Sequence, residues 1–242
     1  MVSSIIGYVL LPTLGELHGA KEQERLREFL VTLNRVIGFV APFLAAIGAA
    51  LTPLVVLVFF PSYHQATETA QVLIAGATFS VIASTAGQFL IVSGRYRRYA
   101  TVQVVSIFMK TAICLIAVYM GYGTLGIAMG STIGFAFFGF FMLLSSLRDC
   151  QVAGSELVVQ MGGYFAPWLL NFGIVGFAHV FVPVVDRASG ISIVGLTAVL
   201  GGLIVVNIPS LMYLDRQFTL RARLRESIAA RRAGRMPGGG RS

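Results

Sequence analysis

The residue with the clearest chemical potential is Lys110, which stands about halfway along the apolar segment 99–121. A lysine at the centre of a bilayer costs at least about 2.5–3.5 kcal/mol on insertion scales, so its ammonium group is expected to face a cavity or a partner. There it would anchor an anionic substrate or act as a coupling residue. The alternative is that the side chain snorkels toward the interface or binds a carbonyl group of a neighbouring helix.

Asn34 and Arg35 form a second polar pair, near the end of another apolar segment. Arg35 would meet either a phosphate group or simply a lipid headgroup at that depth. The remaining polar side chains inside apolar sequence are mostly uncharged amides, whose commonest role is interhelical hydrogen bonding worth about 0.6 kcal/mol each. They are Gln71, Gln88, Gln103, Asn171 and Asn207, together with His179.

The signatures of soluble enzymes are missing from the sequence. It contains no HExxH, GxSxG or GxxxxGK[ST] pattern, and no clustered carboxylates inside or flanking the membrane segments. The two cysteines, Cys114 and Cys150, do not make a disulfide framework, and nothing indicates a metal site. We therefore expect a protein that is not an enzyme and holds no cofactor, with coupling to Na⁺ or H⁺ left open.

Composition places these residues in a membrane protein. Hydrophobic residues make up 56% of the chain and charged residues only 12%, about half of what a soluble domain carries. A hydrocarbon core of roughly 30 Å takes about 20 apolar residues per crossing, and backbone pairing inside it requires helices. The predicted fold is an all-α, polytopic helical membrane bundle.

The segments predict about six full crossings after a partial N-terminal helix. The bundle, 1–214, contains the partial helix 1–12 and crossings at 31–60, 68–93, 99–121, 124–147, 163–185 and 191–214; the segment 215–242 is a basic cytoplasmic tail with a disordered end. Pro42 and Pro53 are expected to kink or break the first full crossing. The charged connector 15–30 is either an interfacial helix or a solvated helix that continues into that crossing.

The distribution of Lys and Arg predicts the orientation. Assigning alternate loops to opposite sides places 16 basic residues on one side and only Arg187 on the other, with Lys110 inside a crossing. The basic side is expected to be cytoplasmic. Eight of these residues lie in the tail, which next to a membrane indicates contact with anionic lipids rather than with nucleic acid.

Four local patterns occur in a recognisable order: Val9-Leu10-Leu11-Pro12 before a charged connector; Phe59-Phe60-Pro61-Ser62-Tyr63-His64-Gln65-Ala66; Ser93-Gly94-Arg95 with Arg97 and Arg98; and Tyr122-Gly123-Thr124-Leu125-Gly126-Ile127-Ala128. Their order resembles the C-terminal half of a polysaccharide flippase of the Wzx type, in the multidrug/oligosaccharidyl-lipid/polysaccharide exporter superfamily. Pro61 stands where that family has glycine. The match covers residues 1–147, and the remainder agrees only by helix count.

The resemblance implies one lobe of a two-lobe exporter. Such proteins move polyprenyl-pyrophosphate-linked oligosaccharide outward across the bacterial inner membrane by alternating access, for cell-surface polysaccharide biosynthesis. Lys110 and Arg35 would then neutralise pyrophosphate or an acidic sugar, with Asn34 as a third candidate substrate contact. A full member has about twice as many crossings, so the chain is expected to be a C-terminal fragment whose partner is a missing N-terminal lobe.

Two other interpretations stay open. A non-transporting membrane assembly subunit of a polysaccharide biosynthesis complex would need only one lobe. A membrane-embedded enzyme of lipid-linked glycosyl transfer would need acidic residues near an interface, for which Glu68 and Asp186 are sparse. The sequence identifies neither the glycan nor the oligomeric state.

Overall fold

The structure is a computed structural model that describes residues 23–150, 152, 154–181, 185–186, 190–191, 195–208 and 212. The expected partial helix at 1–12, the first part of the connector and the basic tail lie outside the described residues. The described part is helical apart from turns and one very short strand pair. The all-α prediction is therefore confirmed in its coarse form.

Six α-helices and one 3-10 helix follow one another in the part of the chain that the structure describes. They are α1 (Gln23–Phe59), the 3-10 helix (Pro61–Ala66), α2 (Thr67–Val92), α3 (Tyr96–Tyr119), α4 (Gly123–Asp149), α5 (Gly154–Phe181) and α6 (Gly195–Ile208). Between α5 and α6, β1 (Val185–Asp186) pairs antiparallel with β2 (Gly190–Ile191).

Five helical segments of the described residues are long and apolar enough to cross a membrane. They are Glu28–Phe59, Pro61–Val92, Tyr96–Tyr119, Gly123–Asp149 and Gly154–Phe177, while Gly195–Ile208 is shorter. This length and composition support a membrane-embedded protein, because each segment provides the roughly 20 apolar residues that one crossing needs.

Several boundaries differ from the sequence-based expectation. Helix α1 already includes residues 23–30 of the connector, and neither Pro42 nor Pro53 ends it. Helix α5 begins at Gly154 rather than at 163, because Gly154 turns the chain with φ +62° and the residues after it continue directly as helix. Val185 and Ile191, both expected in crossings, lie in the strand pair.

Helix α4 is central to the bundle, since it packs along α2 on one side and along α3 on the other. Helix α1 packs against α2 and α5. The main cluster of buried side chains joins α2 and α4 to α5 through Phe79, Ile82, Leu143 and Tyr164. A second cluster joins Ala46 and Ala50 of α1 to Val199 and Leu203 of α6.

Glycine allows α3 and α4 to approach closely. A Cβ atom on Gly130 would lie 3.1 Å from the backbone nitrogen of Cys114, and one on Gly134 would lie 3.1 Å from Cα of Lys110. These two glycines and Gly126 are spaced by four residues and so share one face of α4. The absence of side chains at these positions therefore lets the two helices come into close contact.

The chain divides into two compact units, Met1–Leu203 and Ile204–Ser242. The first contains α1 to α5, the strand pair and most of α6. Of the second, the described residues are 204–208, which end α6, and Met212.

Candidate functional site

Lys110 lies in the interface between α3 and α4 and is half-buried. Its position in α3 is about 21 Å from the Tyr96 end and about 14 Å from the Tyr119 end, at 1.5 Å per residue. The ammonium nitrogen stands 4.1 Å from the centroid of the Phe135 ring on α4. A cation over an aromatic face gains about 0.5–1 kcal/mol where it is exposed and about 2 kcal/mol or more where it is desolvated, which offsets part of the cost of burial.

Glycine determines where the Lys110 side chain runs. A Cβ atom on Gly134 would lie 2.6 Å from Cβ and 2.8 Å from Cγ of Lys110, so the aliphatic stem occupies the place of the missing side chain. Among the described residues no carboxylate pairs with the ammonium group, and the Phe135 ring is its partner. Lys110 is thus a mid-depth cation whose hydrogen-bonding capacity remains available for an anion.

Asn34 is 1% exposed and lies between α1 and α2. Its Oδ1 atom is 3.2 Å from the hydroxyl oxygen of Thr85, which also lies 2.8 Å from the carbonyl oxygen of Ile82. A hydroxyl group has one proton, so it satisfies only one of these two acceptors fully. The Nδ2 atom of Asn34 is buried and has no hydrogen-bond partner among the described residues.

Arg35 is half-buried on α1 and interacts electrostatically with Tyr164 of α5. The Tyr164 ring packs directly on Gly38, where any side chain would overlap it. The phenol oxygen is buried and has no partner among the described residues. Arg35 and the buried phenol of Tyr164 therefore lie near each other where α1 packs against α5, while Asn34 contacts Thr85 of α2.

The three residues predicted from the sequence do not form one site. Asn34 and Arg35 are neighbours on α1, whereas Lys110 contacts α4. Lys110 was expected to face a cavity or a partner, and its observed partner is an aromatic ring. Both groups supply donors or positive charge, so both suit an anionic ligand rather than a metal ion.

Polar side chains elsewhere connect helices. The Nε2 atom of Gln71 donates to the carbonyl oxygen of Ala49 at 3.0 Å, and Trp168 Nε1 donates to that of Ala75 at 3.1 Å. The Thr132 hydroxyl donates to the carbonyl oxygen of Val72 at 2.8 Å. Gln71 thus has the interhelical role predicted for the amides, while Asn171 donates to Pro167 within its own helix.

Sequence reasoning missed Asp149, the last residue of α4. Arg95 and Arg98 both bind its Oδ1 atom, and its side chain is 4% exposed. The available signal was Arg95, Arg97 and Arg98 together with Arg148 beside Asp149, because a carboxylate next to cations at one end of a bundle is their natural partner. Among the residues that the structure describes, no group of three or more His, Cys, Asp or Glu side chains is placed to hold a metal ion.

Comparison with known proteins gives no relative: no family model, no curated protein and no solved structure matches this chain.

Proposed function

We propose that this chain is the C-terminal portion of a membrane flippase that translocates polyprenyl-pyrophosphate-linked oligosaccharide by alternating access. The chain would form one lobe, and transport would require a second lobe in the same or another chain. The transported substrate would be a lipid-linked anionic glycan. Its sugars and the coupling ion stay open.

The main support for this function is the position of the resemblance-carrying sequence patterns in the fold. The three patterns within the described residues lie at successive helix ends: the 3-10 helix after α1, the α2–α3 turn and the α3–α4 turn. Gly94 and Gly123 have φ values of +72° and +55°, so each turn uses a conformation that favours glycine. Their order along the chain thus agrees with a helical hairpin architecture as well as with the resemblance.

Two cations at different depths support an anionic substrate. Arg35 lies seven residues after Glu28, about 10 Å along α1, and Lys110 about 21 Å along α3. Because the two helices run in the same direction through successive hairpins, both depths are measured from the same side. A pyrophosphate group moving across the bilayer would meet Arg35 first and Lys110 near the middle.

The test is a lipid-flip assay on the native protein, isolated from membranes through its basic tail. The protein is reconstituted into vesicles with a fluorescent polyprenyl-pyrophosphate oligosaccharide, and dithionite destroys label in the outer leaflet. A flippase makes nearly all the label reactive, whereas protein-free vesicles protect about half, since the two leaflets hold similar amounts. K110Q and R35Q are expected to slow the loss of label, and R232Q in the tail serves as the charge-matched control.

The alternative, an assembly subunit, predicts a different result. Half of the label would stay protected with the wild-type protein, and the tail antibody would detect a species of 26.0 kDa on a denaturing gel. A species near twice that mass would support the fragment interpretation. Protection of half the label by a protein of the larger mass would overturn the proposed function.

A further inference from the structure

One end of the α3–α4 hairpin concentrates positive charge. Arg95, Arg97 and Arg98 lie in the α2–α3 turn and the first turn of α3, and Arg148 lies in the last turn of α4. We refer to these four residues as the arginine cluster. With Asp149 as the carboxylate among them, the cluster has a net charge of +3, four positive charges less one negative.

Asp149 fixes the geometry of this cluster. Arg95 and Arg98 bind the same carboxylate oxygen, and their side chains remain 48% and 49% exposed, while that of Asp149 is 4% exposed. A guanidinium group has five N–H donors, so each arginine keeps most of its donors directed away from the carboxylate. The buried acid thereby holds two guanidinium groups side by side at the surface.

The other two arginines add charge without an acid of their own. Arg97 and Arg148 are exposed and form no ion pair among the described residues. Placing cations in the first turn of α3 is unfavourable for the helix dipole, whose N-terminus is positive. The excess charge is therefore stabilised if an anion binds there.

We propose that the arginine cluster binds the phosphate group of an anionic phospholipid. Guanidinium groups match phosphate oxygens with paired hydrogen bonds, which favours this anion over chloride. Val104, Val105 and Phe108 on the same helix are exposed and continue from the cluster into the membrane, where they would contact an acyl chain. Tyr96 is 60% exposed at the same turn, a position typical of the membrane interface.

This site differs from the lipid contact expected from the basic tail, and it does not depend on transport. Native mass spectrometry of the full chain in mild detergent tests it, with phosphatidylglycerol and phosphatidylcholine offered in equal amounts. The wild-type protein is expected to retain one phosphatidylglycerol in preference to phosphatidylcholine. Since each basic residue near the surface contributes about fivefold, the double variant R97Q/R148Q should retain it about 25-fold more weakly.

The control is R187Q, which removes a positive charge from the loop that the alternation of basic residues assigns to the opposite side of the bundle, and it should leave retention unchanged. The variant D149N distinguishes a specific lipid-binding site from non-specific electrostatic attraction of the anionic lipid. General attraction predicts stronger retention, because the net charge rises, whereas loss of the ordering carboxylate predicts weaker retention.

Equal retention of the two lipids, wild-type retention by R97Q/R148Q, or stronger retention by D149N would each overturn the proposal. Displacement of the lipid by millimolar inorganic phosphate would assign the site to free phosphate instead.

Discussion

At the scale of single residues, the Asn34–Thr85 pair leaves a buried hydrogen-bonding group without a full set of partners. Asn34 is buried with one amide atom unpaired, and Thr85 offers one proton to two acceptors. An unsatisfied buried polar group costs about 1–3 kcal/mol. Asn34 therefore lowers the stability of the fold locally. Positions that are locally destabilising in this way are where binding residues are expected to lie.

Thr85→Val is expected to destabilise the protein by about 1–2 kcal/mol, because Asn34 then has no partner at either end of its amide. Thr78→Val is the matched control: Thr78 is equally buried on the same helix, and its hydroxyl donates within that helix to Ala75, whose carbonyl also accepts from Trp168. Thermal unfolding in detergent measures both variants.

A double-mutant cycle decides whether the pair is coupled. In the Thr85→Val background, Asn34→Ala should cost less than in the wild type, since the amide it removes is already unpaired. Equal effects of Thr85→Val and Thr78→Val, with additive costs in the cycle, would rule out the coupling.

At the scale of helices, the close contact between α3 and α4 depends on missing side chains. In the α3–α4 interface Gly130 faces Cys114 and Gly134 faces Lys110. A Cβ atom added at either glycine would lie about 3 Å from atoms of the facing residue. In a membrane, where the lipid is as apolar as the helices, such close approach is a main source of helix association. Polar contacts between α3 and α4 among the described residues include the ion pair of Arg98 with Asp149 at one end. Along the helices, the Sγ atom of Cys114 lies 3.7 Å from the hydroxyl oxygen of Ser131 and 3.6 Å from the carbonyl oxygen of Ile127.

Gly134→Ala is expected to destabilise the protein by about 1–3 kcal/mol, because the new methyl group overlaps the Lys110 stem and the two helices must move apart. Gly162→Ala is the control, since a Cβ atom there meets nothing within 4 Å. That change should be neutral or stabilising by up to about 1 kcal/mol. Equal thermal stability of the two variants would contradict the tight interface.

The α2–α3 and α3–α4 turns were predicted well from the sequence, whereas the start of α1, the bounds of α5 and α6 and the contacts between helices were not. Glycine next to polar residues marks the turns at Gly94 and Gly123, and both have positive φ. The early start of α5 was hidden because residues 154–162 are compatible with both helix and loop. The Phe135 partner of Lys110 depends on how two helices rotate against each other, which apolar sequence does not specify because every face of a membrane helix is apolar.

At the scale of the whole molecule, the described helices define two opposite ends. The α2–α3 turn and the end of α4 form one end, where Arg95, Arg98 and Asp149 bind one another. The α3–α4 turn lies at the other end of the same helices, in a segment without Lys or Arg. This asymmetry is the basis for orienting the bundle, because basic loops are retained on the cytoplasmic side.

Tyr96 and Tyr122 offer a matched pair for testing that orientation, since they flank α3 at its two ends and are both 60% exposed. With Cys114 and Cys150 replaced by alanine, Tyr122→Cys is expected to react with a membrane-impermeant maleimide in intact cells. Tyr96→Cys should react only after the cells are permeabilised, because basic residues such as the arginines beside it favour the cytoplasmic side of a membrane. Equal labelling after permeabilisation shows that both variants are folded and accessible. Labelling of Tyr96→Cys alone in intact cells would reverse the orientation, and with it the direction in which an anion would pass from Arg35 to Lys110.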